Sequence, residues 1–442
     1  MTKERLGINA TLLAIIAEGL ASRFSFGIIG FALPLYAHKL GFSVAEIGFL
    51  ISLNFAVAML LKPMMGRLAD RRGFKRCLVF ALVVRSLMSL LFMLAWLPWQ
   101  LYAIRIGQGA SRSLRDPAVH AIIAERSAKN ALATSFAWYG SIKSVAGKLG
   151  YGLAGMLLAA TAQDFTLVFT VSAALSLIAV FVVWRYVPVN KENRTELSPQ
   201  VIEGASRVDE ESLDDTSVEG KPENQAPSTD QPSFIKLRVW PIMILGFLMS
   251  GSAKMIGGLF PLLAIEYGGL NEAQTGSIYF LGAALALVAG PGFGLISDRV
   301  SRRLVLLIRS ISNVVSSLVF IVAPNPTGMV SGYLIDETGK AAFKPAWGAL
   351  MAENANRDQR NRAHIMAKLS LGEDAGAVMG PLLASLLWNT WGVIAMLSAR
   401  IVLAVVSEIY AIVVTKYCAS DIESRTAVHE QKRYKASRDN RK

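Results

Sequence analysis

Apolar and polar positions alternate along this chain on the scale of whole helices. Runs of mostly apolar residues recur at about 9–36, 44–65, 76–97, 99–124, 132–158, 165–187, 240–266, 272–296, 303–323, 327–352, 363–388 and 390–416. Each approaches or exceeds the ~20 residues that a helix needs to cross a bilayer. The pattern predicts twelve spans and an all-α membrane protein. The first run lacks an A-x-A cleavage site and is too long for the apolar part of a signal peptide, so it is expected to stay.

The polar stretches add orientation and division. Arg67, Arg71, Arg72, Lys75 and Arg76 crowd the loop between spans 2 and 3, and Arg299, Arg302 and Arg303 that between spans 8 and 9. Arg126, Lys129, Arg357, Arg360 and Arg362 fall on the same side, while the other side shows little beyond Lys39. Cytoplasmic loops carry the excess of Lys and Arg. Both termini and the middle loop are therefore expected in the cytoplasm, with the chain in a plasma (inner) membrane. Residues 190–234 hold eleven acids and four bases among Ser, Pro, Asn and Gln, a composition that cannot bury a core. The expected organisation is a six-helix bundle over 1–189, a disordered acidic cytoplasmic linker over 190–236, a second bundle over 237–416, and a basic cytoplasmic tail over 417–442.

Composition agrees. Of 442 residues, 53% are hydrophobic and 17% charged, with a mean hydropathy of +0.43, which excludes a disordered, fibrous or ordinary soluble protein. The net charge of +13 does not imply a nucleic-acid partner, because the cations lie in loops and inside spans, not on a soluble face. Cys77 and Cys418 form no CxxC, and the four histidines no HExxH, so no disulfide scaffold or metal site is expected. His120 alone reads as a packing or pore residue. The segment AGKL from Ala146 lacks the remaining P-loop residues, so ATP is not expected as a partner. No nucleophile–base constellation points to an enzyme.

The halves repeat. A shift of 228 places Ala45, Gly48, Pro63, Gly66, Asp70 and Arg71 on Ala273, Gly276, Pro291, Gly294, Asp298 and Arg299. The same shift carries Arg112, Pro117, Ala121, Ala124 and Glu125 onto Lys340, Pro345, Ala349, Ala352 and Glu353. A six-span repeat points to a secondary transporter with its site between two pseudo-symmetric bundles.

GRLADRRGFKR from Gly66, its echo GLISDRVSRR from Gly294, and LYAIRIGQGAS from Leu101 carry a resemblance over essentially the whole length. The chain resembles the major facilitator superfamily, and within it the twelve-span proton-coupled antiporter-like members. The resemblance implies that family's fold and alternating access. It implies a cytoplasmic gate at Gly66, Asp70, Arg71, Gly73, Gly294, Asp298 and Arg299, with Asp70 as a latch between halves. It also implies proton coupling or a helix contact for Arg105, which could instead lie near the outer interface and snorkel. The family's span-5 Gly-Pro signature is incomplete, with Tyr151 where Pro is expected; a Gly-Pro pair stands instead at Gly380-Pro381. That departure counts against drug antiport without excluding it.

Charges inside the spans are the candidate chemistry. Arg105, Gln108, Arg112 and Arg115/Asp116 share one helical face. Within the first half Arg23, Arg85, Arg105, Arg112, Arg115, Lys143 and Lys148 are opposed by Glu18 and Asp116 alone. In the second half Lys254, Lys340, Lys344, Lys368 and Arg400 face Asp336, Glu337, Glu373, Asp374 and Glu408. Arg23, Arg112, Lys143, Lys148 and Lys340 are the expected substrate-binding groups, since guanidinium and ammonium suit anions. Glu18, Arg105, Asp336, Glu373 and Asp374 are the expected proton-coupling groups. The alternative is that these charges are interhelical pairs, the better reading for Arg115–Asp116 and Asp336–Lys340. Gly372, Gly376 and Gly380 predict close helix packing.

The expected function is secondary transport of a small organic solute by alternating access, as proton-coupled efflux drawing on the proton gradient without a bound cofactor. Proton symport taking up an organic anion or zwitterion is the second reading, and a non-transporting membrane scaffold or sensor the third. Expected partners are a small-molecule substrate and the bilayer, with the protein a monomer.

Overall fold

Short polar loops at one end of the molecule start the helices that follow them. The Ser43 hydroxyl accepts from the Glu46 N–H, and the Glu46 carboxylate accepts from the Ser43 N–H, a reciprocal cap. Asp164 accepts from the Thr166 and Leu167 N–H groups, and Asn271 and Gln274 cap one another's backbone. The computed structural model describes residues 10–126, 132–187, 239–299, 302–356 and 362–439. The expected linker over 190–236 lies outside the described residues.

Twelve helices are described: α1 (Ala10–Lys39), α2 (Val44–Arg72), α3 (Phe74–Leu91, prolonged by a tight turn at Phe92–Leu94), α4 (Pro98–Arg126), α5 (Leu132–Ala160), α6 (Phe165–Tyr186), α7 (Val239–Gly257), α8 (Glu272–Arg299), α9 (Arg302–Val322), α10 (Pro326–Asn356), and two arms of the run Arg362–Asp439. That run breaks at Gly392, whose φ of 83° is open to glycine at little cost, into α11 (362–391) and α12 (393–439). The run 240–266, read from sequence as one span, stops being regular at Gly257. A short turn at Phe260–Leu262 and a wide turn at Leu263–Tyr267 follow, because two adjacent glycines and Pro261 interrupt the helix. The run that begins α12 continues as helix past Tyr417 to Asp439.

By length and apolarity Thr11–Lys39, Val44–Ala69, Phe74–Leu94, Phe165–Tyr186, Val239–Gly257 and the stretch Lys368–Val414 qualify as spans. The other helices carry their charges inward. Leu60, Phe80, Trp184, Val288 and Val402 are exposed, whereas Glu18, Arg85, Arg105, Arg115, Arg309, Asp336 and Arg400 are buried. Apolar outside and polar within is the distribution that a lipid solvent requires.

In the first bundle α1 packs on α5 and α6, α2 on α4, and α3 on α4 and α6; in the second α7 packs on α11, and α10 on α8 and α9. The bundles meet along α2–α11 and α5–α8. Gly48 of α2 lies against Ser385 and the Pro381 carbonyl of α11. Gly276 of α8 lies on Gly152 and Gly155 of α5, where a Cβ would stand 2.8 Å from the Gly152 carbonyl oxygen. Gly48 and Gly276 are equivalent under the 228-residue repeat, so one small residue serves both seams.

The end bearing the 40–43 loop is shut by aromatic rings from both bundles. Tyr151 lies 4.5 Å from Tyr279, Tyr279 5.1 Å from Tyr333, Phe260 4.7 Å from Tyr333, and Phe31 6.0 Å from Tyr279, centroid to centroid. Across the rim His38 lies 3.6 Å from Glu266, and Gln163 donates to Glu272. Toward the opposite end of α2, α5 and α8, open space surrounds the positions where Gly66, Gly140 and Gly292 would carry a Cβ.

Candidate functional site

Helix α4 carries the cations that its sequence places on one face, and the structure gives them different surroundings. Arg105 donates to the Leu50 and Ile51 carbonyls of α2 and to Gln108 Oε1. Arg115 donates to both oxygens of Glu18 at 2.8 and 3.0 Å, to Asp116 at 2.9 Å and to the Tyr139 hydroxyl. Glu18 is wholly buried, and the pair fastens α1 to α4. Arg85 of α3 donates to the Ser22 carbonyl and lies over the Phe26 ring. Each of these cations has protein acceptors in place.

Arg23, Arg112 and Lys143 differ. Arg112 Nε lies 3.4 Å from Asp116 Oδ2, a long contact, with its guanidinium 4.8 Å from the Phe55 ring centre. Arg23 covers the Phe26 ring, and Lys143 the Tyr139 ring. Among the described residues neither makes an ion pair. Asp116 stands within electrostatic reach of Lys143, Arg112, Arg115, Arg23 and His120, one carboxylate amid a cationic surround. A cleft beside this group is lined by Phe55, Ala58, Met59 and Lys62 of α2, Arg112, Ser113 and Asp116 of α4, and Asp374 of α11.

The second bundle is arranged around Asp336, which takes Arg309 at 3.2 Å, Lys340 at 2.8 Å and Arg400. Arg400 is fully buried and also donates to Ser252 O, Asn313 Oδ1, Ser316 and Ser317, tying α7, α9, α10 and α12 together. Lys340 bridges Asp336 and Glu337. Glu373, partly buried on α11, lies within electrostatic reach of Asp374, Lys254, Trp347 and Lys62.

Among the described residues two lysine–carboxylate pairs join the bundles. Lys62 of α2 meets Asp374 of α11 at 2.7 Å. Lys148 of α5 pairs with Glu337 of α10 and donates to the Gly282 carbonyl of α8 at 3.0 Å. In both the lysine comes from the first bundle and the carboxylate from the second. The structure thus gathers Arg23, Arg112 and Lys143 around Asp116. It sets Lys148 and Lys340 on Glu337, and holds Glu18, Arg105 and Asp336 in bonded networks.

Of the predicted gate, Gly73 ends α2 with φ 89° and donates its N–H to Ala69 O, which accounts for glycine there. Arg71 is exposed. Asp70 lies in α2, and Gly294, Asp298 and Arg299 in the last turns of α8; their side chains lie outside the described residues. Lys62 and Arg309 were not among the sequence candidates. Both are single cations inside apolar runs, LLKPMM and LLIRSI, and a complete census of intramembrane charges finds them.

A family model described as the Major Facilitator Superfamily matches residues 19–335 and again 242–433. The chain belongs to the major facilitator superfamily. Among curated proteins it is similar to the multidrug resistance protein MdtG of Salmonella heidelberg strain SL476, 28% identical over 177 residues, 39% of this chain and 43% of that protein. The counterpart from Salmonella arizonae is 27% identical over the same shares. The chain thus matches less than half the length of these relatives. Solved structures share the fold at 14% identity. A bacterial homologue of the human lysosomal transporter Spinster, inward-facing and occupied, has a TM-score of 0.69 over 92% of this chain and 96% of that one. A POT family transporter in complex with 5-aminolevulinic acid also has 0.69, over 92% and 95%. Family and fold are those of multi-pass membrane transporters and not of enzymes.

Proposed function

We propose that this superfamily member is a secondary transporter that exports small organic solutes in exchange for protons by alternating access. The observation that carries the reading is the cleft between α2, α4 and α11, lined by charges at mid-depth, with aromatic rings from both bundles packed together at one end of the molecule; we read the opposite end as the open one. A bundle with only a structural role would have no reason to keep Arg23, Arg112 and Lys143 in the membrane without a matching set of carboxylates. The multidrug-resistance names of the relatives support efflux. In this reading Arg23, Arg112 and Lys143 bind the solute, helped by Lys340, and Glu373, Asp374 and Glu337 exchange protons. Glu18, Arg105 and Asp336 hold helices together, and Lys148 joins the bundles. Gly66, Asp70, Arg71 and Gly73 with Gly294, Asp298 and Arg299 close the open end when the cleft turns over. We place both termini and that end in the cytoplasm of a plasma membrane, with the protein a monomer that takes neither ATP nor nucleic acid as partner.

One observation favours a second reading, uptake of an organic anion or zwitterion by proton symport: Arg23 and Lys143 have no carboxylate partner among the described residues. Purified protein in liposomes with an imposed pH gradient and an internal pH dye separates the two. Antiport moves solute against the proton flow and symport with it. Solute flux indifferent to the gradient would remove both.

A further inference from the structure

Two ion pairs line the cleft between α2, α4 and α11, and each is only half made. Arg112 touches Asp116 through Nε alone, at 3.4 Å; among the described residues its Nη1 and Nη2 groups have no acceptor. Its guanidinium lies 4.8 Å from the Phe55 ring centre, which steadies the fork. Asp374 takes Lys62 on Oδ2 at 2.7 Å, and among the described residues no donor reaches its Oδ1. Asp116, by contrast, has both oxygens engaged, Oδ1 by Arg115 and Oδ2 by Arg112. The Ser113 hydroxyl is committed to the Ala110 carbonyl. The enclosed space is about 20 Å³, room for a single small group. The four charged side chains are 22–36% exposed, so a solute meets them at the cleft mouth.

A guanidinium fork with two free donor groups suits a carboxylate bidentately. A carboxylate oxygen without a donor suits an ammonium, which has three N–H groups to give. A plain anion on Arg112 would add a third negative charge beside Asp116 and Asp374. A plain cation on Asp374 would add a third positive charge beside Lys62 and Arg112. A solute bearing both signs leaves the wall balanced and strands no charge. We propose that this cleft takes a short-chain zwitterion, a carboxylate and a primary ammonium on one aliphatic chain, with the carboxylate on Arg112 and the ammonium on Asp374. Its methylenes lie against Phe55, Ala58 and Met59. Arg23 and Lys143 do not line the cleft, and their field reinforces the carboxylate end. The inference rests on the reading of this cleft as the solute site and names that solute's class. Asp374 cannot hold a proton and pair with an ammonium at once, so the same group serves the proton exchange.

The test is equilibrium binding, by titration calorimetry, to the purified full-length protein in detergent at pH 7, which needs no turnover. The probes are ω-amino acids from glycine to 6-aminohexanoate, each beside the plain carboxylate and the alkylamine of the same chain length. At the length that spans the two groups the amino acid should bind about tenfold tighter than either single-headed homologue, as expected of an added charge-assisted hydrogen bond. Asp374→Asn should remove that advantage and leave the plain carboxylate bound no more weakly than before. Arg112→Lys, which keeps the charge but not the fork, should weaken amino acid and plain carboxylate alike and leave the amine unaffected. Equal binding of amino acid and plain carboxylate at every length, no binding of any amino acid, or an advantage that survives Asp374→Asn would overturn the proposal. The comparison among probes on the unaltered protein decides the matter even where a variant folds poorly. Flux in liposomes separates this inference from the reading beneath it. Carriage of a plain carboxylate with no preference for the amino acid sinks the zwitterion and keeps transport; amino-acid binding without flux of any solute keeps the site and sinks transport.

Discussion

Replacing Glu337 by Gln should loosen the closed end of the cleft. Glu337 is buried on α10 and pairs with Lys148 of α5 across the bundle seam. Removing one partner of a buried pair costs about 3–5 kcal/mol when the other charge is stranded. Here it is not wholly stranded. Lys148 keeps the Gly282 carbonyl, and Lys340, which also loses Glu337, keeps Asp336 at 2.8 Å. The amide oxygen that replaces the carboxylate can still accept one bond. Opening the seam lets water reach Lys148, so the penalty falls mainly on the closed state. A differential of about 2 kcal/mol is reasonable, a factor of roughly thirty in the ratio of closed to open molecules. Spin labels at Ala160 of α5 and Ser277 of α8, both exposed near that end, report the change as a longer component in their distance distribution. A distribution unchanged by Glu337→Gln, with unchanged transport, would refute the idea that this pair holds the bundles shut.

Glu18→Gln should act on stability instead, because Arg115 is only 4% exposed and donates to both oxygens of Glu18. A loss of about 3 kcal/mol and a lower melting temperature in detergent are expected; an unchanged melting temperature would show that Asp116 and Tyr139 suffice for Arg115. Gly276→Val should leave insertion intact and abolish transport, since a Cβ there meets the backbone of Gly152 and Gly155 and wedges α8 from α5. Normal flux in that variant would show that the seam tolerates separation.

Much of the architecture was legible because a bilayer imposes length and apolarity on its spans, and the 228-residue repeat matched Gly48 to Gly276 before either could be seen at a seam. Pairs within one helix were legible too: Asp336–Lys340 follows from four-residue spacing and Arg115–Asp116 from adjacency, although Arg112, four residues before Asp116, was read only as a substrate group. Pairs between helices were not. Nothing local joins Glu18 to Arg115, Lys148 to Glu337 or Lys62 to Asp374, which lie 97, 189 and 312 residues apart. The apparent cation excess of the first half therefore shrinks once Lys148 is seen to reach the second bundle, Arg115 to grip Glu18, and Arg105 to end on backbone carbonyls, which sequence does not display. The break after Gly257 was missed because hydropathy continues smoothly through a segment whose backbone does not.

The central claim is that the cations around Asp116 handle a solute that crosses the membrane. Arg112 is the member to remove, since its side chain is partly open to the cleft and its contact with Asp116 is long. Metabolite profiles, inside and outside, of cells making the parent protein, the Arg112→Ala variant or neither test it most directly. The account predicts that the parent shifts a set of anionic or zwitterionic solutes across the membrane, and that the variant, inserted at the same level, does not. Identical shifts in parent and variant would contradict it.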